Sequence, residues 1–371
     1  MTSSEADRPG SDTTPDSGPV SKDGSFHIDV DLTPDDDTSS RRRSRGRWVG
    51  AGIVVLLALV AAGWFFFVRN GEPAGPPAPV LETTIETPLS GAVVVTDWSS
   101  PSAVAVGGDR IYILDTGNNR ILSMDREGVV DNIICETDEC ALLLDAPQDM
   151  EYHEGLFYVA NTEKGQVDVV DATGTIIRTY ELPAEPGDLP RATGVHVADD
   201  GSVYVSDWTS GRVAIFEPDG AFRLYFGEDT VGVFEFTDPT GLMLDDDGNL
   251  YIAEFSLGLV RKISPVGREL AIFSMMGSVT TASEASDLII DDNGFLYLAD
   301  SKRSVVHVFS RGARRLGLIG FLDASRSDSP LALLRPQGLA TDGNQLFVID
   351  SERGLQIYII DPNYFLFQRT E

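Results

Sequence analysis

The stretch NLYIAE at residues 249–254 recurs five more times along the chain, as RIYILD (110–115), LFYVAN (156–161), SVYVSD (202–207), FLYLAD (295–300) and QLFVID (345–350). The polar residues that close these hexads, Asp115, Asn161, Asp207, Glu254, Asp300 and Asp350, stand 46, 46, 47, 46 and 50 residues apart. A period of that length marks a repeat architecture and takes precedence over any local reading. Upstream of the fourth hexad, GLML (241–244) runs into the turn DDDGN (245–249). In the third unit the hexad is followed by VAIF (213–216), the turn EPDG (217–220) and FRLYF (222–226). Asp, Asn and Gly gather at the turns because those positions need positive φ or side-chain capping. Four short strands in each unit of roughly 46 residues describe a propeller blade. The expected fold is all-β, a six-bladed β-propeller of four-stranded antiparallel blades over residues 80–371. Such a ring must close, and either AVVV (92–95) or YFLF (364–367) is expected to supply the outer strand of the last blade. The termini should meet there, so loss of residues 360–371 should unfold the domain.

Working outward, residues 69–79 contain a Pro/Gly spacer, NGEPAGPPAP (70–79), which is extended and semi-rigid. Residues 48–68 are 21 residues without a charge, long enough at 1.5 Å per residue to span about 31 Å, the hydrocarbon thickness of a bilayer. Arg41, Arg42, Arg43, Arg45 and Arg47 precede this run and Arg69 follows it, which places the N-terminus in the cytoplasm and the rest outside. A cleaved signal peptide is the competing reading. It would have a shorter apolar core and small residues where Trp64, Phe65, Phe66 and Phe67 stand, so a retained single-pass transmembrane helix is expected. Residues 1–47, rich in Ser, Thr, Pro and Asp, have too few apolar side chains to offset the entropy of ordering and are expected to form a disordered tail. Within it, FHIDVDL (26–32) alternates like an extended docking strand or is an incidental cluster.

Composition narrows function by exclusion. Acidic residues number 58 against 28 basic, a formal charge of −30. Before position 48 there are 10 acids and 7 bases; from there on there are 48 and 21. So acidic an exterior argues against nucleic acid as a partner. Two cysteines exclude a four-Cys zinc cluster. Cys135 and Cys140 are expected to form a small disulfide loop in an oxidising exterior, with free thiols or an intermolecular bridge as alternatives.

The segment DTGNNRI (115–121), with PTGL (239–242) and DGNLYIA (247–253), resembles the NHL repeat. The likeness covers residues 98–371, although the Gly-Asn-Asn-Arg portion has drifted to EKGQ (163–166), TSGR (209–212) and SLGL (256–259). It implies a six-bladed propeller similar to extracytoplasmic sensor and binding domains of bacteria. NHL propellers also include RNA readers and an amidating lyase, so function must be argued from the site. The lyase chemistry draws on several histidines, and only His153, His196 and His307 lie beyond the membrane segment.

The six hexad-closing residues recur in register, which suits turn capping better than chemistry. Asp245, Asp246 and Asp247 either form a hairpin turn or wrap a calcium ion. Residues that break the repeat on the innermost strand are more informative. The position of Met243 holds Ala105, Glu151, His196, Ile289 and Ala340 in the other units; that of Gly241 holds Ala103, Asp149, Gly194, Asp287 and Gly338. Asp149, Glu151, His196 and Asp287 are therefore candidate ligand-binding residues in the channel. The leading expectation is a binding platform for an extracytoplasmic protein, glycan or small ligand, without catalysis or a cofactor. Phe234 and Phe236, in the insert EDTVGVFEFTD (228–238), are expected to be exposed and to form a partner-binding loop. The alternative is a gluconolactonase-like, metal-dependent hydrolase or lyase using Glu151, His196 and Asp287, with calcium or zinc as the metal.

Overall fold

The computed structural model describes residues 80–85, 89–90, 98–135, 143–184, 186–228, 234–275, 283–320 and 332–361. The tail, the predicted membrane helix at 48–68 and the spacer lie outside the described residues. Among the described residues, no helix is long and apolar enough to cross a membrane.

The first blade comprises β3 (Ala103–Gly107), β4 (Arg110–Asp115), β5 (Arg120–Met124) and β6 (Val129–Ile134), with the two-residue β2 (Leu89–Ser90) parallel to β6. The second is β7 (Asp149–His153), β8 (Leu156–Asn161), β9 (Gln166–Val170) and β10 (Ile176–Glu181). The third is β11 (Ala192–Val197), β12 (Val203–Asp207), β13 (Arg212–Phe216) and β14 (Phe222–Tyr225). The fourth is β15 (Pro239–Leu244), β16 (Leu250–Glu254), β17 (Leu259–Ile263) and β18 (Glu269–Ser274). The fifth is β19 (Ala285–Ile290), β20 (Leu296–Asp300), β21 (Val305–Phe309) and β22 (Arg315–Gly320). The sixth holds β23 (Pro336–Asp342), β24 (Gln345–Asp350) and β25 (Gly354–Ile359). First strands touch in the cyclic order β3, β7, β11, β15, β19, β23 and back to β3. The ring is closed. This is the six-bladed β-propeller that the hexad spacing predicts.

The hexads are predominantly apolar because both faces of each second strand are covered. Ile111 and Ile113 pack toward the sixth blade with Phe347 and Ile349, whereas Tyr112 and Leu114 pack toward the second with Phe157 and Val159. Period-2 alternation thus divides one strand between two cores. Six such clusters lie between successive blades, and they form the hydrophobic interior. Outer strands have one such face at most; β18 exposes Leu270 and Ile272 and buries Phe273.

The hexad-closing residues are buried, and each accepts a hydrogen bond from the chain entering its own blade's first strand. Asp115, Asn161, Asp207, Glu254, Asp300 and Asp350 receive the amides of Ser99, Asp145, Arg191, Thr237, Glu284 and Leu334 at 2.6–3.2 Å. Their second contacts match their charge. Arg120 Nε lies 2.7 Å from Asp115 and Arg261 Nε 2.7 Å from Glu254, while the neutral Asn161 donates to Asp168 at 2.7 Å. Asp245 belongs to a hairpin turn. Its Oδ1 accepts the amides of Asp247 and Asn249 at 3.1 and 2.9 Å, Lys262 Nζ lies 2.7 Å from Oδ2, and Gly248 supplies φ +72°. The same side-chain turn recurs at Asp125, Asp171 and Asp291.

Two expectations are corrected. The closing strand is neither 92–95 nor 364–367, both of which lie outside the described residues. It is β1 (Val80–Ile85), the first stretch after the spacer, which pairs antiparallel with β25 from Val80↔Ile359 to Ile85↔Leu355. A register shift between Leu81 and Thr83 breaks its alternation and hides the strand from a period-2 reading. Phe234 and Phe236 are not an exposed loop. Phe236 is 5% exposed, its amide bonds Gly211 O at 2.7 Å, and Phe234 packs beside it in the core between the third and fourth blades. The insert supplies apolar filling for that seam.

A variant lacking residues 80–85 leaves β25 as an open edge and the sixth blade with three strands. Its thermal midpoint should fall by more than about 5 °C relative to the intact chain, by differential scanning fluorimetry. An unchanged midpoint would show that another segment closes the ring.

Candidate functional site

The first strands begin with a common motif whose geometry builds one mouth of the channel. Pro101, Pro147, Ala192, Pro239, Ala285 and Pro336 are followed by Ser102, Gln148, Thr193, Thr240, Ser286 and Gln337. Hydroxyls in this second row donate to the first-row carbonyl of the next blade. Ser102 bonds Pro147 O at 3.4 Å, Thr193 bonds Pro239 O at 2.7 Å, Thr240 bonds Ala285 O at 2.7 Å and Ser286 bonds Pro336 O at 3.0 Å. Thr162 does the same for Ala192 O at 2.6 Å. The first five blades are thereby each tied to their successor at the rim.

One residue deeper, Gly194, Gly241 and Gly338 allow the strands to touch. A Cβ at Gly338 would stand 2.6 Å from Ser102 O, and one at Gly194 would stand 2.2 Å from Thr240 O. Asp149 and Asp287 occupy the same row in the second and fifth blades, three blades apart and so on opposite sides of the channel. Asp149 accepts the amides of Met150 and Val195 at 2.8 and 2.9 Å; Asp287 accepts those of Leu288 and Leu339 at 2.7 and 2.8 Å. Burial pushes the Asp149 carboxyl up to about 6. Burial, and then the charge of Asp149, hold Asp287 well above the usual carboxylate range.

Two residues deeper still, Glu151 and His196 face each other from adjacent blades, with His196 Nδ1 and Glu151 Oε2 3.1 Å apart. The same oxygen accepts the amide of Val197 at 3.0 Å. The four polar residues predicted from the repeat therefore form a facing pair, Asp149 and Asp287, and a hydrogen-bonded pair, Glu151 and His196. Among the described residues no three His, Cys, Asp or Glu side chains come close enough to hold a metal ion. His153 ends β7, and His307 is buried in β21, 3.3 Å from Asp300. Cys135 is buried and disulfide-bonded, while Cys140 lies outside the described residues.

A cavity of about 270 Å³ fills this mouth and draws lining residues from all six blades, among them Ser102, Asp149, Thr193, Thr240, Asp287 and Gln337. Its walls hold four further residues that the innermost-strand pattern does not reveal: Arg191, Trp208, Phe255 and Arg335. The residue after each hexad is Thr116, Thr162, Trp208, Phe255, Ser301 or Ser351. Two adjacent blades thus replace a small hydroxyl by an aromatic ring. Trp208 and Phe255 are half-buried, with ring centroids 5.5 Å apart and planes tilted by 58°. Arg191 and Arg335, in the third and sixth blades, are exposed at the rim. Arg191 is paired with Glu163; among the described residues the Arg335 guanidinium has no carboxylate partner.

No protein-family profile matches the chain, and no curated protein matches it. Solved structures do. A protein of unknown function from Bacteroides thetaiotaomicron superposes with a TM-score of 0.57 at 13% identity, over 73% of this chain and 72% of that one. A catalytically inactive virginiamycin B lyase from Staphylococcus aureus, with quinupristin, gives 0.52 at 12% identity over 72% and 97%. A gluconolactonase from Xanthomonas campestris gives 0.51 at 15% over 78% and 99%. The shared property is the fold. At these identities the likeness does not extend to activity.

The two raised carboxyls carry a pH signature. A carboxyl that holds its proton more tightly when folded contributes stability that is complete below its unfolded value near 3.8 and is lost as pH rises through the folded value, about 6 for Asp149. Urea denaturation midpoints should therefore decline between pH 4 and 7. Asp149→Asn should flatten that decline while lowering the midpoint at pH 4, because one amide oxygen replaces two acceptors. A wild-type profile that is flat over this range would contradict the assignment.

Proposed function

We propose that this protein is a single-pass, membrane-anchored binding platform whose NHL-type propeller stands outside the membrane and takes a ligand at the channel mouth, with no catalysis of its own. The observation that carries this reading is the Trp208–Phe255 pair, which interrupts an otherwise hydroxyl-bearing row and turns its apolar surface into a cavity lined by every blade. Half-buried aromatics among convergent polar groups are the usual make-up of a small-molecule site. The anchor rests on the uncharged run at 48–68 and the arginines before it. The NHL assignment gains support from the Pro-Xaa-Gly-Leu motif, whose hydroxyl and carbonyl join neighbouring blades. Among the three partner classes, a small ligand suits a concave mouth of this size better than a protein or a long glycan.

A metal-dependent hydrolase or lyase draws less support. Asp149 and Asp287 each accept two backbone amides, Glu151 is bonded to Val197 and His196, and Asp287 does not join that pair. Among the described residues no three of these groups converge, which leaves neither calcium nor zinc a ready ligand set.

The reading is tested by ligand-observed NMR on the full-length chain in detergent micelles, against a mixture of amino acids, short peptides, monosaccharides and organic acids. At least one component should bind saturably. Trp208→Ala should weaken it tenfold or more, with little change in the thermal midpoint. Binding that Trp208→Ala leaves untouched would remove the mouth as the site.

A further inference from the structure

The charges around this mouth are arranged by depth. Asp149 bonds the amide of Val195, and Arg191 lies four residues nearer the rim, immediately before the same third-blade strand and paired with Glu163. Asp287 bonds the amide of Leu339, and Arg335 again lies four residues nearer the rim in the sixth blade. Two opposite sides of the ring therefore carry the same device, a carboxyl on the floor and a guanidinium at the lip. Four residues, with a register shift among them in each blade, separate the two levels, and the long arginine side chain is able to reach back over part of that distance. Hydroxyls of Thr193, Thr240 and Ser286 occupy the level between, and the wall on the third and fourth blades is the Trp208–Phe255 pair.

Each level selects a different group. Two buried carboxyls near enough for the charge of Asp149 to raise Asp287 repel unless a proton or a cation lies between them. A free guanidinium at the lip accepts a carboxylate in fork geometry. An aromatic wall takes an apolar side chain, or stacks on an ammonium brought close to its face. The geometry points to a short peptide with both termini free as the ligand, its α-ammonium inserted between Asp149 and Asp287, its carboxylate on Arg335, and an apolar side chain against Trp208 and Phe255. This assignment rests on the channel mouth being the binding site and adds the chemical class of what it holds.

Binding is pH-linked, because the ammonium replaces a proton held by the facing carboxyls. Glu151 on the same strand as Asp149, His196 bonded to it, the two rim arginines and Glu163 paired with Arg191 are the other titratable or charged groups around this space. Affinity should rise from pH 5 to pH 8, and the heat of binding should depend on the buffer's ionisation enthalpy.

The test is isothermal titration of the full-length chain in micelles with Leu-Gly-Gly, its N-acetylated form, its C-terminal amide and free leucine. Leu-Gly-Gly should bind saturably, and acetylation or amidation should each weaken it at least tenfold. Arg335→Gln should cost the free-acid peptide a similar factor and leave the amide unchanged. That variant avoids the structural bonds of Asp149 and Asp287, so loss of fold does not mimic the result. Equal affinity for the acetylated peptide, indifference to Arg335→Gln, or free leucine binding as tightly as the peptide would overturn the inference. No binding of any probe would also overturn it, while Trp208-dependent binding of some other component in the NMR mixture would leave the platform reading intact.

Discussion

A buried carboxylate or amide at the end of each second strand holds the amide of the chain about sixteen residues upstream, and the propeller depends on that bond being made six times. The chain must turn from the outer edge of one blade to the axis of the next, and at the point of entry it has no ladder partner. An unsatisfied buried amide costs on the order of 1–3 kcal/mol, so six unsatisfied entries would consume much of a domain's net stability. Supplying the acceptor from the second strand fixes where the first strand starts. That position in turn fixes the register of the hydroxyl row, the glycine row and the two channel carboxyls. The site is thus a consequence of the closure chemistry, two or three residues further along.

The same constraint explains why the repeat is so legible in the hexads and so faint elsewhere. A second strand is covered on both faces, so its central positions are mainly apolar and its last residue must be a buried acceptor; FLYLAD satisfies both demands throughout and RIYILD does so from Ile111 onward. Outer strands have one covered face and solvent on the other, and β1 adds a register shift, so VLETTI does not announce that it closes the ring. Phe236 misleads for a related reason. An apolar residue in an insert reads as exposed until the adjacent seam, with Phe226, Val213 and Leu242, is seen to need filling.

Polar residues on the innermost strands show the limit of pattern reading. Asp149, Glu151, His196 and Asp287 stand out because they break a repeat, and the structure gives three of them a backbone duty. Asp149 and Asp287 take the amides of Val195 and Leu339, and Glu151 takes that of Val197, each in the following blade. Departure from a repeat signals a local change in bonding before it signals chemistry. Trp208 and Phe255 lie one position beyond the most regular part of the repeat and outside the innermost strands. They become visible once that position is read across all six units as a row of small hydroxyls with two exceptions.

Symmetry gives those exceptions their weight. Carboxyls in the second and fifth blades and arginines in the third and sixth are each related by half a turn of the ring, so the charged groups repeat with twofold spacing, Arg191 differing from Arg335 in its pairing with Glu163. Trp208 and Phe255 sit on adjacent blades, with Ser351 and Thr116 at the positions half a turn away. The apolar wall is consequently one-sided. A ligand with a single apolar group meets one orientation in which that group is desolvated against the rings and another in which it faces hydroxyls. At roughly 25 cal/mol per Å² of apolar surface, burying even 60 Å² separates the two by about 1.5 kcal/mol, slightly more than a factor of ten in occupancy. A sixfold fold with a twofold charge pattern obtains a directional site from two side chains.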